Sequence, residues 1–165
     1  MAATGNRFGI QIDKGLSTTF EVEMAVASGT TLTIATGTPT KMSTAKAAPM
    51  VDGDGTTSQS FTGLAKDNST ETSSTAGTVQ LWAPIPGIVY RAVAKTASLA
   101  NTQALIDALI FKRVVYDLTA AIWSVDSAAA DATTNSVVIV GGLPRTSELL
   151  FCYAVSGTVF GNPTT

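Results

Sequence analysis

Few residues in this sequence can do chemistry, and their spacing is poor for it. The chain has no histidine and one cysteine. Imidazole is the usual base near neutral pH and the commonest metal ligand, so its absence removes most nucleophile–base pairs and most metal sites together. Cys152 sits in the apolar run Leu149-Leu-Phe-Cys-Tyr-Ala-Val155, where a thiol behaves as a small hydrophobe. A lone cysteine forms no intrachain disulfide. Asp52-Gly-Asp-Gly-Thr56 places oxygen ligands at alternate positions, as a calcium loop begins, but Gly63 stands where the closing glutamate belongs. The segment reads as a Gly/Asp turn. Gly37-Thr-Pro-Thr-Lys41 lacks the Gly-Lys-Ser/Thr ending and the strand-to-helix setting of a phosphate loop, and there is no Gly-x-Ser-x-Gly.

The 12 acidic residues are widely spaced and read as solvated surface charge. A glycan hydrolase would need two of them roughly 5–10 Å apart in one cleft. Asn68-Ser-Thr70 matches a glycosylation triplet, which matters only in a secreted chain. Trp82, Tyr90, Trp123 and Tyr153 can line a groove, but aromatics at strand positions more often fill a core or an interface. No catalytic residue, metal ligand, cofactor or small-molecule substrate is expected.

Ten basic residues are scattered, with only Lys112 and Arg113 adjacent, and the net charge is -2. Duplex binding needs a basic stripe to displace counterions, so no nucleic acid partner is expected. No run approaches the roughly 18 apolar residues of a membrane span. The N-terminus has no basic region followed by an apolar stretch, so neither a secretory leader nor a membrane partner is expected. The expected place of synthesis is a cytoplasm.

With charged residues at 13% and hydrophobic ones at 45%, the chain suits sheet building more than catalysis. Phe8, Ile10 and Ile12 alternate with polar or small residues. So do Phe20, Val22, Met24 and Val26, and then Leu32 and Ile34, which predicts strands at 8–13, 19–27 and 31–35. Gly29-Thr30 suits a hairpin turn between the last two. Residues 37–77 are rich in Thr, Ser, Gly and Ala and predict an extended loop holding one short strand, Phe61–Ala65. Strands follow at 79–82 and 88–95. Two prolines make a stiff corner in Trp82-Ala-Pro-Ile-Pro-Gly87.

A helix is predicted at about 101–111, capped by Asn101 or Thr102, with Leu105, Ile106, Leu109 and Ile110 as its apolar face. Lys112 and Arg113 would complement its negative end. Further strands are predicted at about 113–118, 122–125, 136–141, 148–155 and 157–160. The chain divides into strands or an arm at 1–36, the extended loop at 37–77 and a β core at 78–165, together one domain. The fold class is mainly β: a small barrel with one short helix, an extended N-terminal segment and a loop.

Two phrases carry a resemblance. Phe61-Thr-Gly-Leu-Ala-Lys66, then a small-residue spacer, then Gly77-Thr-Val-Gln-Leu-Trp-Ala-Pro-Ile-Pro-Gly-Ile-Val-Tyr-Arg-Ala92 resembles tailed-bacteriophage capsid decoration (cement) proteins. Lys112-Arg-Val-Val-Tyr-Asp-Leu-Thr119 through Trp123, and Val137-Val-Ile-Val-Gly-Gly142, extend it over about residues 60–160. The resemblance implies a β-barrel or β-tulip module that assembles as a homotrimer on the outside of the expanded head. Its partner would be the major capsid protein, whose neighbouring capsomers it staples. It implies a virion location and an N-terminal arm along the capsid. On that reading Arg7, Phe8, Ile10, Ile12, Trp82, Pro84 and Pro86 are expected at capsid or intersubunit contacts. The alternative is another phage structural protein, of tail or baseplate, or a cell-surface β-module.

Overall fold

Alternating apolar residues become strands wherever one face has a core to meet. The computed structural model describes residues 11–14, 21–26, 32–55, 61–72, 77–83 and 88–153. Its strands are β1 (Gln11–Lys14), β2 (Glu21–Ala25), β3 (Leu32–Ile34), β4 (Pro39–Ser43), β5 (Lys46–Pro49), β6 (Phe61–Ala65) and β7 (Ser69–Glu71). There follow β8 (Thr78–Trp82), β9 (Val89–Ala94), β10 (Arg113–Val114), β11 (Tyr116–Thr119), β12 (Ile122–Val125), β13 (Val137–Leu143) and β14 (Glu148–Tyr153). One short helix, α1 (Gln103–Asp107), lies between β9 and β10. The protein is mainly β, as its sequence predicts.

The main sheet runs β10-β13-β14-β9-β12-β11. Its two end strands are one stretch of chain broken only at Val115. β10 pairs with β13 through Arg113↔Val138 and Val114↔Val137. β11 pairs with β12 from Tyr116↔Val125 to Thr119↔Ile122. Residues 113–119 therefore flank the sheet on both sides and nearly close it into a six-strand barrel. Where β11 leaves β13, the turn Asp52–Gly55 fills the gap. The Gly53 N–H donates to the Tyr116 carbonyl at 3.1 Å, the Tyr116 N–H to that of Asp54 at 2.8 Å, and the Ser136 N–H to that of Gly55 at 2.8 Å. Gly55 has φ +108, and a Cβ there would press on Tyr116 Cδ2 at 3.2 Å.

β9 uses both edges. One carries β14, antiparallel; the other is shared by β1 at the N-terminal half and β12, parallel, at the C-terminal half. Ile88, Tyr90, Ala92 and Ala94 point into the core as their alternation predicts. Val114, Tyr116, Trp123, Val125, Val137, Ile139, Leu149 and Phe151 complete the barrel interior.

Residues 21–82 leave the barrel after β1 and return at β9. They form a second sheet, β2-β8-β6-β4-β5, and a ribbon of β3 with β7. An isolated bridge, Val26↔Ala47, joins the two edges of this sheet. Its core is small: Val26, Ile34, Ala47, Ala65, Val79 and Leu81. Met50 and Leu64 point the other way, into the barrel core, with Trp82 packed beside them, and so tie the two sheets together.

Three expectations change. The stretch 37–77, expected as an extended loop with one strand, carries β4 to β7. Its inward residues Thr40, Ala47 and Ala65 are small and fully buried. Gly29-Thr30 lies outside the described residues, and the strands on either side of it pair elsewhere, β2 with β8 and β3 with β7. The helix is five residues rather than the whole of 101–111. Thr102 caps it by accepting from the Leu105 N–H. It ends because the Phe111 N–H is taken by the Ile139 carbonyl at 2.7 Å and the Lys112 carbonyl by the Ile139 N–H at 3.0 Å. Lys112 and Arg113 do not serve its end. Lys112 Nζ donates to the Ser127 carbonyl and Arg113 Nη1 to that of Thr133.

Candidate functional site

The expected contact residues divide by position. Arg7, Phe8, Ile10, Pro84 and Pro86 lie outside the described residues, as does the strand expected at 157–160. Ile12 is placed by its backbone, opposite Tyr90, so it belongs to the barrel sheet. Trp82 ends β8, opposite Glu21 and Leu64, and packs half-buried against the barrel core. The Gly63 in the phrase Phe61–Ala65 has a structural cause. It sits at φ +148, and a Cβ would overlap the Trp82 carbonyl oxygen. Its own carbonyl accepts from the buried Thr40 hydroxyl at 2.8 Å.

The aromatics fill the interior. Tyr90 stacks on Phe151 at 5.6 Å between centroids, and Tyr116 meets Trp123 edge-on at 6.1 Å. The acidic turn is consumed in support. Asp52 Oδ1 accepts from the Leu118 N–H, and Asp54 Oδ2 from the Val51 N–H and Lys41 Nζ, each of these last two at 2.7 Å. Among the described residues no group of three or more His, Cys, Asp or Glu side chains is placed to hold a metal.

An ionic cluster lies beside a cavity at the C-terminal end of β9. Lys95 follows β9, Asp117 is in β11 and Asp126 follows β12, so three neighbouring strands bring them together. Lys95 Nζ lies 2.7 Å from Asp117 Oδ1 and 3.1 Å from Asp126 Oδ2. Asp117 Oδ2 accepts from Thr119 at 2.8 Å and from Ser124 at 3.2 Å. Asp126 Oδ1 caps the following turn through the N–H groups of Ala128 and Ala129. Thr119, Ile122, Val93 and Ser124 help to line a cavity of about 480 Å³ over Asp117 and Lys95.

Two chemistries deserve a test here. Lys95 bridges two carboxylates, of which Asp117 lines the cavity and Asp126 does not, and a glycosidase acid must hold its proton near neutrality. Burial alone would raise the Asp117 pKa; the Lys95 hydrogen bond, with those of Thr119 and Ser124 and the lysine charge, reverses this and holds it below the ordinary 3.8. An amide bond between Lys95 and Asp117 would need a neutral amine and a protonated acid. Hydrogen bonds to Asp117 and Asp126 instead raise the Lys95 pKa, keeping it charged. Both shifts favour a standing salt bridge. The cluster locks the end of β9 to the β11–β12 hairpin.

The described surface also exposes large apolar side chains. Phe111 is 76% exposed and Val51 55%, with Leu118, Ile122, Leu105 and Leu143 less so. Phe111 also has φ +67, a conformation costly for a bulky residue. Sequence reasoning missed Phe111 and the Lys95 cluster. The only signal for Phe111 was its place between the helix and Lys112. Comparison with known proteins finds no matching family model, no matching curated protein and no matching solved structure.

Proposed function

We propose that this protein is a structural virion component that binds the outer surface of a tailed-phage capsid and staples neighbouring capsomers, stabilising the expanded head. Its partners are the major capsid protein and two further copies of itself; it is made in the host cytoplasm and ends on the capsid. It performs no catalysis. The observation that carries the reading is the pairing of exposed Phe111 and Val51 with carboxylates spent on internal support. A staple needs contact area and backbone pairing, not reactive groups. Solvent-facing aromatic and aliphatic side chains supply that area, and an exposed aromatic held at positive φ is the kind of strained residue found at contact sites. Three-fold repetition converts weak contacts into tight attachment.

Binding to expanded, undecorated heads tests this. Phe111→Ser weakens binding by about tenfold while circular dichroism stays unchanged; undiminished binding removes Phe111 from the contact. Deleting residues 1–13 is expected to abolish binding. Because that deletion also strips β1 from β9, a deletion of residues 1–10 separates loss of the arm from loss of the sheet. Full binding by both deletions rules the arm out.

A further inference from the structure

β1 and β12 share one edge of β9 and approach each other along it. β1 is antiparallel, with Gln11 opposite Arg91. β12 is parallel, with Ser124 opposite Val93 and Val125 opposite Ala94. Followed backwards from Gln11, the ladder would set residue 10 against Ala92 and residue 9 against Val93, where Ser124 already stands. The chain upstream of Gln11 therefore leaves the ladder within about one residue. The inner side is closed to it, because Tyr90, Ala92, Ala94, Trp123 and Val125 are packed there in the barrel core. The way out is over the outer face.

That face holds the cavity of about 480 Å³. Its wall includes Val93, Ile122 and Ser124, which alternate with the core residues of β9 and β12 and so point outward. Val93 is two residues along β9 from Arg91, the partner of Gln11, a distance of about 7 Å. Phe8 is three residues upstream of Gln11, a reach of about 10 Å. The run Arg7-Phe-Gly-Ile10 thus arrives at the cavity with two large apolar side chains and a cation. Val93 and Ile122, the latter 38% exposed, offer an apolar wall. The cluster of Lys95, Asp117 and Asp126 beside it holds one basic and two acidic side chains, the complement of Arg7.

We propose that this cavity is the seat of the chain's own N-terminal segment, with the Phe8 side chain against Val93 and Ile122 and Arg7 beside Asp117. The seat ties the segment to the β11–β12 hairpin at the place where β1 and β12 part. It does not rest on the capsid reading. It roots the segment on the barrel and leaves residues 1–6 to meet a partner.

Nuclear Overhauser contacts in the full chain test this. The Phe8 ring protons are expected to give cross-peaks to the methyl groups of Val93 and Ile122, and their absence overturns the proposal. A sample mixing isotope-labelled and unlabelled copies distinguishes the source of the segment. Cross-peaks between a labelled and an unlabelled copy would mean that a second copy's segment fills the cavity, and would overturn the assignment to the same chain. A double-mutant cycle by denaturant unfolding gives an independent reading. Phe8→Ala raises the unfolding constant roughly tenfold in the parent. In the Ile122→Ala background the same change has a clearly smaller factor, about threefold or less, because part of the wall it packs on is gone. Equal factors in the two backgrounds mean that the two side chains do not meet, and overturn the seat.

Discussion

The two sheets solve the same closure problem with different material. The barrel of β9–β14 encloses Tyr90, Tyr116, Trp123 and Phe151 and closes through backbone pairing on both sides of residues 113–119. Among the described residues the sheet of β2, β4, β5, β6 and β8 encloses Val26, Ile34, Ala47, Ala65, Val79 and Leu81, and the bridge Val26↔Ala47 joins its edges. Side chains in it and in the β3–β7 ribbon add to its backbone ladders. Glu71 Oε2 accepts from the Gly77 N–H at 2.6 Å, Thr40 from its buried position donates to Gly63, and Lys66 reaches Glu21 at 2.7 Å. Large rings bury more surface per strand than alanine can. The barrel is therefore the stability core, and the inserted sheet is a lighter structure leaning on it through Met50, Leu64 and Trp82.

The largest effect should come from emptying the barrel. Phe151 touches three aromatic neighbours, so Phe151→Ala costs about 3–5 kcal/mol in denaturant unfolding. Leu81→Ala, in the lighter core, costs about 2–3 kcal/mol and raises amide exchange in β2 and β8 more than in β13 and β14. Equal exchange changes in both sheets would make them one cooperative unit and erase the contrast.

Gly63→Ala comes next. The new Cβ meets the Trp82 carbonyl at a backbone conformation closed to other residues, for about 2 kcal/mol or more. Its exchange signature should centre on β6 and β8.

The ionic lock at the barrel end gives a pH test. The Asp117 pKa is depressed in the folded state, so its contribution is present above the ordinary value of 3.8 and is lost as pH falls through the lower folded value. Asp117→Asn lowers stability at pH 7 and flattens acid unfolding below pH 3.8. Lys95 works in the opposite sense, its contribution being present below 10.5 and fading as pH rises above it. A parent and variant with parallel acid profiles would mean that the lock contributes nothing.

The smallest effect is at the hairpin tips. Thr44-Ala45 and Ala120-Ala121 all have positive φ, which the tight turns of β4–β5 and β11–β12 require and side chains resist. Ala45→Gly and Ala121→Gly should each stabilise by about 0.5–1 kcal/mol, read as a rise in melting temperature. Destabilisation would mean that the alanine methyls make contacts worth more than the strain.

Much of this was readable in sequence, for a local reason. Strands at 79–82, 88–95, 122–125 and 148–155 show as alternating or continuous apolar stretches, a pattern that depends only on neighbours along the chain, and the last of them is described to Tyr153. Residues 37–77 hid their strands because Thr40, Ala47 and Ala65 do the inward packing, and small residues leave no strong period. Partner choice was not legible either. β2 finds β8 more than fifty residues later, and residues 113–119 find two strands at once; neither pairing leaves a local mark. The Lys95–Asp117–Asp126 lock was hidden the same way, its members being brought together only by the closed barrel.

The functional account is tested most directly by sedimenting expanded, undecorated phage heads after mixing them with the purified protein, with its mass in solution measured by light scattering. The account predicts a trimer that pellets with the heads and saturates at a fixed number of copies per head. A monomer that stays in the supernatant at every ratio would contradict it.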